Sequence, residues 1–552
     1  MGEKVRKIIP LLILLVLTIP AFMPVLAPGF FPMHDNTQPS RVFEMAKALM
    51  DGMFPVRWSA DLGFGYGYPL FNYYAPLVYY VGATFNLAGF NALDATKILL
   101  ALGFILSALA MYIFAKEFLG KLGGIIAALF YVYAPYHAVN IYVRGAVSEF
   151  WAYGFIPLAF WGLYKIHQTE KFKYVAFTAL FFALIVLSHN LAAFITAPFL
   201  LLYSFFLFFK KRNIKLFYSV GIGLLLSAFY WVPALIEIPF FNVMSQIGPE
   251  KDIRFHFVCL QQLWTSQWGF GGSIPGCVDG MSYMIGKYHI LAAILAVMVA
   301  LLEYKNKKVE KGIFQNIVLF FAFGVLSIFL MTSYSQFIWE LVSPMRFIQF
   351  PWRFLLITSF TFSFVAGSLF YLFRKRLNSF SYIILALIVS IAIVFLYSKF
   401  FVPQEANSKN ASDYVSKNAL NYNISKISHE FMPSNFKIPG NINEVSNLNN
   451  IEDESIVVVN SKKRTGRIEL NLRVEKETKA VIPIAYFPAW KAYVNGEEVP
   501  VEKNPRGIKV KLPEGKVMLE FLFRETLLEK FANVLSLAGV LILAYGIIRK
   551  PK

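Results

Sequence analysis

Runs of eighteen or more apolar residues, broken by short polar stretches, recur along almost the whole chain. An α-helix needs about 20 such residues to cross the hydrocarbon of a bilayer. The pattern therefore predicts an α-helical polytopic membrane protein. Expected spans cover about 8–27, 95–115, 121–138, 150–164, 174–190, 191–209, 215–235, 287–303, 313–332, 350–373, 379–400 and 527–548, about twelve in all. The segment 68–90 is also long enough to cross, but it is rich in Tyr and Phe and reads as an interfacial or re-entrant helix.

Beyond residue 401 the period changes. Residues 402–455 are rich in Asn, Ser and Lys, and much of that stretch is expected to be irregular. Alternation then sets in at 456–459, 467–474, 480–487, 490–496, 507–512 and 517–523, which predicts strands. Asn495-Gly496 and Pro513-Glu514-Gly515 are hairpin turns in the right places. The expected organisation is a transmembrane unit (1–401), an antiparallel β-sandwich-like domain (402–525), and a last span with a basic tail (526–552).

Charge fixes the expected orientation. The chain has 552 residues and a net charge of +19, which in a soluble protein would suggest nucleic acid. Seven short breaks (2–7, 115–121, 164–173, 210–215, 303–311, 374–376 and 549–552) hold 22 Lys/Arg against 5 Asp/Glu. The remainder is nearly balanced, at 30 against 28. Basic residues concentrated in alternate short loops mark the cytoplasmic side. This excludes a nucleic-acid partner and puts both termini in the cytoplasm. Counting 68–90 as a span would send later basic loops outside. Residues 28–94, 138–149, 236–286 and 402–525 are then expected on the outer face. Cys259 and Cys277 both fall in the third of these and are expected to form a disulfide.

Candidate chemistry clusters at the outer span ends. His34-Asp35 follows the first span, and an interfacial helix with Val42, Met45, Ala46 and Leu49 at helical spacing comes next. Asp35 suits a general base toward a hydroxyl or an oxygen ligand for Mg²⁺ or Mn²⁺, and equally a plain helix cap. Glu149 and Arg144, beside His137, come from the second outer loop. Glu149 is a second acid that could share a metal with Asp35, and Arg144 could clamp a phosphate. The competing reading pairs the two with each other. Arg254, Arg346 and Arg353 lie at outer span ends, where a lipid phosphate is the economical partner and snorkelling to headgroups the plain alternative. Trp264, Trp268 and Phe270 offer flat faces for a sugar ring or for the membrane surface. His189-Asn190 reads as a polar turn. GFGYG (63–67) lacks a strand-to-helix context and reads as a turn, and no phosphate loop of the Walker type is present.

In its order of parts the chain resembles the GT-C superfamily of membrane glycosyltransferases: an early acid in a large first outer loop, an interfacial helix, two spans joined by a short basic turn (AKEFLGKLGG), then an acid in the second outer loop. More closely, MHDNTQPSRVFEMAKALMDGMFPVRWSADLGFGYGYPLFNYYAPL, RGAVSEFWAYGFIPLAF and FIQFPWRFL resemble a prokaryotic polytopic family labelled "6-pyruvoyl-tetrahydropterin synthase related". The metal clusters of the soluble pterin enzyme are absent from this sequence. The segment YFPAWKAYVNGEEVPV resembles the outer β-domain of bacterial envelope-glycosylating membrane proteins. The resemblance implies a polyprenyl-phosphate sugar as donor, a lipid, glycan or protein as acceptor, and inverting transfer at the outer face. Ser148-Glu149 stands where oligosaccharyltransferases carry an Asp-x-Asp-like pair, and their Trp-Trp-Asp signature is missing, which argues against transfer to peptide Asn. A lipid-linked glycan flippase and a non-catalytic envelope scaffold are the rival classes. The flippase reading lacks an internal repeat and mid-span polar residues.

Overall fold

A computed structural model describes residues 3–241, 252–374 and 376–548. The basic tail at 549–552 and part of the loop 236–286 lie outside the described residues. Among those described, eight helices are long and apolar enough to cross a membrane, or nine if a bent pair counts as one span. The expected twelve is not reached on those criteria, for four reasons. Ala92–Val132 is a single run of 41 residues, about twice a bilayer's needs, but it reverses at Gly120 (φ +70°). A Cβ on Gly124 would lie 3.1 Å from Lys116, eight residues back, so this run is a helical hairpin closed by the predicted basic turn. Phe172–Ser188 has only 17 residues, and Val147–Thr169 carries Glu149 in its first turn and Trp, Tyr and Lys along its length. The bent pair, Lys215–Leu226 and Ala228–Ile236, meets at 70°.

Pro351–Leu372 runs through the middle of the bundle, with 94% of its apolar window buried. Helices on both sides pack against it through Phe114, Phe160, Phe320, Phe360 and Phe364. Leu527–Ile548 is peripheral, with 11% buried, and seats Ala532 against Ala228 and Val232.

Two short helices replace the ambiguous segment 68–90: Leu70–Tyr73 and Leu77–Leu87. Eleven residues rise about 17 Å, too little to cross. The second packs on the interfacial helix Gln38–Met50, which forms where the apolar spacing places it.

The β-domain holds two antiparallel sheets. β1 (Ile456–Arg464), β2 (Arg467–Val474), β8 (Gly515–Phe523), β4 (Trp490–Val494) and β5 (Glu497–Val499) form one, in that order. β3 (Thr478–Ile482), β7 (Gly507–Leu512) and β6 (Glu502–Asn504) form the other. Alternate residues Ile468, Leu470 and Leu472 of β2 and Val517, Leu519 and Phe521 of β8 fill the space between the sheets. Residues 402–455 contain only short helical turns, as their composition suggests. They run back across the loop that follows the first span. Phe30 and Lys409 exchange backbone hydrogen bonds at 2.8 and 3.0 Å. Tyr414 donates from its hydroxyl to Asn36 (2.7 Å), and its carbonyl accepts from Ser40 Oγ (2.7 Å). The expected disulfide is formed, with the Cα atoms of Cys259 and Cys277 5.6 Å apart.

Candidate functional site

The two segments that carry the acids are held together by their backbones. His34 N donates to the carbonyl of Val143 (3.0 Å), and Asp35 N donates to that of Arg144 (2.9 Å). Gln38, in the first turn of its helix, donates from its amide to the Gly145 carbonyl (2.9 Å). Gly145 has φ +67°, and a Cβ there would collide with Met33. Only glycine allows so close an approach in that conformation.

Asp35 sits at this junction. Its carboxylate is exposed and makes no hydrogen bond or ion pair among the described residues. Thr37, not Asp35, precedes the helix, and no side chain caps it, so the capping role is not observed. Water reaches the carboxylate, but protein surrounds most of it. That desolvation holds its pKa above the ordinary 3.8, against the pull of Arg41, Arg144, His34 and Arg353. His34 Nε2 lies 2.6 Å from the Phe270 carbonyl, which ties the disulfide-bearing loop to the same place.

Beside it, Arg144 and Glu149 pair, as the competing sequence reading has it. Arg144 Nη2 donates to Glu149 Oε2 at 3.0 Å, and its Nη1 bonds Asn140 and, at 3.3 Å, Tyr136. The Tyr136 hydroxyl donates to the other Glu149 oxygen. The guanidinium also lies 4.6 Å from the ring centroid of Trp352. Both Glu149 oxygens thus accept a hydrogen bond within this cluster. Among the described residues no group of three or more His, Cys, Asp and Glu side chains could hold a metal ion. The three arginines acting on Asp35 make the surroundings suit an anion better than a divalent cation.

Arg353 faces this group from the start of the central helix. Its Nη1 donates to Ile348 O (2.8 Å) and Gln349 Oε1 (3.3 Å), and its buried Nε has no partner. Its charge acts on Asp35 and Glu149, whose fields reach it in turn.

Other candidates fall elsewhere. His137 is fully buried against Phe150, Tyr153 and Tyr131, too deep to meet a sugar. Arg254 is exposed and paired with Asp252 at 2.6 Å. Arg346 is exposed and makes no contact with the cluster. Trp264 is 40% exposed, with Lys287 over its ring, and Trp268 packs on Phe400. Neither tryptophan contacts the Asp35 junction.

Sequence reasoning missed several members. Arg41 is buried 4.0 Å over Tyr74 and donates to Ser428 Oγ (2.9 Å), with Glu430 3.8 Å away. Its clue was a charge on the buried face of an amphipathic helix. Ser428 and Glu430 carried no local signal. His189 is more than a turn: its Nδ1 accepts the Ala192 N–H (3.1 Å), which puts the proton of the neutral ring on Nε2.

Known proteins share parts of this architecture. A Lactococcus lactis subsp. cremoris protein, itself uncharacterised, is 28% identical over 238 residues, 41% of this chain and 39% of its own length. Among solved structures, the apo Archaeoglobus fulgidus oligosaccharyltransferase gives a TM-score of 0.46 at 12% identity, covering 81% of this chain and 62% of that one. Arabinofuranosyltransferase AftD from Mycobacteria gives 0.42 at 15% identity (73% and 27%). ArnT from Cupriavidus metallidurans, bound to undecaprenyl phosphate, gives 0.36 at 13% (78% of each). All three scores lie below 0.5, so these likenesses carry no functional argument. The sequence model of a family described as "6-pyruvoyl-tetrahydropterin synthase related domain; membrane protein" matches residues 71–401, more than half of the chain. The chain belongs to that membrane-protein family.

Proposed function

We propose that the chain is a GT-C-type membrane glycosyltransferase, moving a sugar from a polyprenyl-phosphate donor to a lipid, glycan or protein acceptor on the outer face. In this reading both termini are cytoplasmic, and the Asp35 junction and residues 402–525 are extracytoplasmic. The observation that carries it is one exposed, unbonded carboxylate, Asp35, within the fields of Arg144, Arg353 and Arg41. An acid beside guanidinium groups, at the membrane's outer edge, matches the two ends of such a transfer.

The chemistry is a single displacement. The acceptor hydroxyl attacks the anomeric carbon and gives its proton to Asp35, whose raised pKa makes it a better base. The bond from that carbon to the donor's phosphate oxygen breaks, and its electron pair leaves with the lipid phosphate, so configuration inverts. Arg353, with its unpartnered Nε, stabilises the charge growing on that phosphate. Arg144 is largely neutralised by Glu149 and serves to place Trp352 and Tyr136. A divalent metal remains outside this scheme, in which every step is carried by the chain's own residues.

The test is transfer from a panel of radiolabelled polyprenyl-phosphate sugars, using membranes with equal amounts of wild type or Asp35→Ala. Label transferred by wild type and lost in the variant supports the reading. Equal transfer by both proteins would remove Asp35 from the chemistry. Absence of transfer from every donor would favour the flippase or scaffold classes.

A further inference from the structure

A polar cavity lies on the other side of the interfacial helix. Arg41 and Phe43 of that helix are separated by about 200° around its axis. Arg41 turns toward the Asp35 junction, while Phe43 lines a pocket of about 360 Å³ that involves none of the junction's residues. Known ligand pockets begin near about 300 Å³. Its walls come from three distant parts of the chain: the first outer loop, the segment 415–449 and strand β1.

The lining combines what a sugar needs. Phe43 and Leu420 supply an apolar face for ring C–H groups. Asn421 is 9% exposed, and its amide has no hydrogen-bond partner among the described residues, although it borders the cavity. The Asn447 carbonyl oxygen accepts from Asn449 N (3.1 Å), which leaves its NH₂ to donate. The Asn421 amide opens into the cavity and is not sealed in the protein, so a ligand there can reach its donors and acceptor.

The charges are unbalanced. Asp61 is bonded to Lys47 and sits 3.8 Å from Lys463, whose ammonium donates to the Gly65 carbonyl (2.8 Å). Behind it, Glu44 is buried, with its carboxyl pushed up to about 7 by desolvation and by Asp61. Lys417 lines the same cavity, is exposed, and forms no ion pair among the described residues. Two lysines, Lys417 and Lys463, thus line the cavity with one carboxylate, Asp61, which Lys47 also engages.

We propose that this pocket binds an anionic saccharide, its ring on Phe43 and Leu420, its hydroxyls on Asn421 and Asn447, and its carboxylate or phosphate on Lys417. The site is separate from the transfer centre and independent of it. An enzyme or scaffold on an envelope surface could use it to retain an acidic glycan.

The test is titration of the purified full-length chain in detergent, read by calorimetry, with glucuronate, glucose 6-phosphate, glucose and inorganic phosphate. Both acidic sugars are expected to bind, with glucose and phosphate each at least about tenfold weaker. Lys417→Glu, at an exposed position, is expected to weaken the acidic sugars by about tenfold or more while thermal unfolding stays unchanged. Asn421→Leu is expected to weaken all the sugars. Asp35→Ala should bind as wild type does, which separates failure here from failure of the transferase reading. Glucose binding as tightly as glucuronate would overturn the requirement for an acid. Phosphate binding as tightly as glucose 6-phosphate would overturn the saccharide. Failure of both acidic sugars to bind, or Lys417→Glu binding like wild type, would overturn the site.

Discussion

Replacing Glu149 with Gln tests whether that residue is a structural counterion or a participant in chemistry. Glutamine keeps the shape and can still meet both Arg144 and Tyr136, so the main loss is one negative charge. The Glu149 side chain is 3% exposed and that of Arg144 11%. Removing one partner of a buried pair costs about 3–5 kcal/mol, because the other charge is stranded. Here Asp35 also acts on Arg144, and Asn140, Tyr136 and Trp352 still surround it. The expected cost is therefore at the low end, about 3 kcal/mol. A double variant, Arg144→Gln with Glu149→Gln, strands nothing and should recover roughly 2 kcal/mol of the summed single costs, within the range for networked neighbours. Reversible unfolding in mixed micelles, driven by added SDS, measures all four proteins, with transfer activity followed alongside. A Glu149→Gln protein within about 0.5 kcal/mol of wild type, or strictly additive variants, would refute the ion-pair reasoning. Activity abolished at full stability would instead put Glu149 in the chemistry.

The other predictions concern pH and the outer loops. Because burial raises the Asp35 pKa, its carboxylate protonates at higher pH than a free one. The acid limb of kcat/KM should lie above pH 3.8, and a limb at or below that value would contradict the base role. Glu44 is also raised, from 4.5 to about 7, so the native state binds the extra proton between those values and stability falls as pH rises through that window. Glu44→Gln should therefore gain thermal stability relative to wild type at pH 8 over pH 5, by at most roughly 3 kcal/mol, and a constant difference would count against it. Cys259→Ser should destabilise the loop that carries it by about 3 kcal/mol, the closure entropy expected for its sequence separation of 18. Limited proteolysis within 259–277 should quicken in the variant, and unchanged cleavage would argue against the bond's role.

Some of the architecture was legible locally. The strands of 456–523 and the hairpin turn at Asn495-Gly496, where both residues have φ > 0, follow from alternation and turn chemistry. The helix Gln38–Met50 follows from four apolar positions at helical spacing. Two Cys in one outer loop were enough to suggest the disulfide. The span count was less secure, because Phe172–Ser188 is apolar but short and Val147–Thr169 mixes Glu, Tyr and Lys into its apolar run.

The sequence by itself determined the membrane class, the interfacial helix, the β-domain and the loops that carry charged side chains. All of these depend on residues within a helix turn or a strand pair of one another. It could not rank the arginines: Arg346 and Arg353 are seven residues apart, yet only Arg353 acts on Asp35. It left open whether Glu149 joins Asp35 or Arg144. It gave no sign that Ser428 and Glu430 close over Arg41, more than 380 residues away. Tertiary structure alone decided these pairings. A buried charge is tolerable only where another part of the chain supplies its counterion, and hydropathy and spacing do not record which part that is.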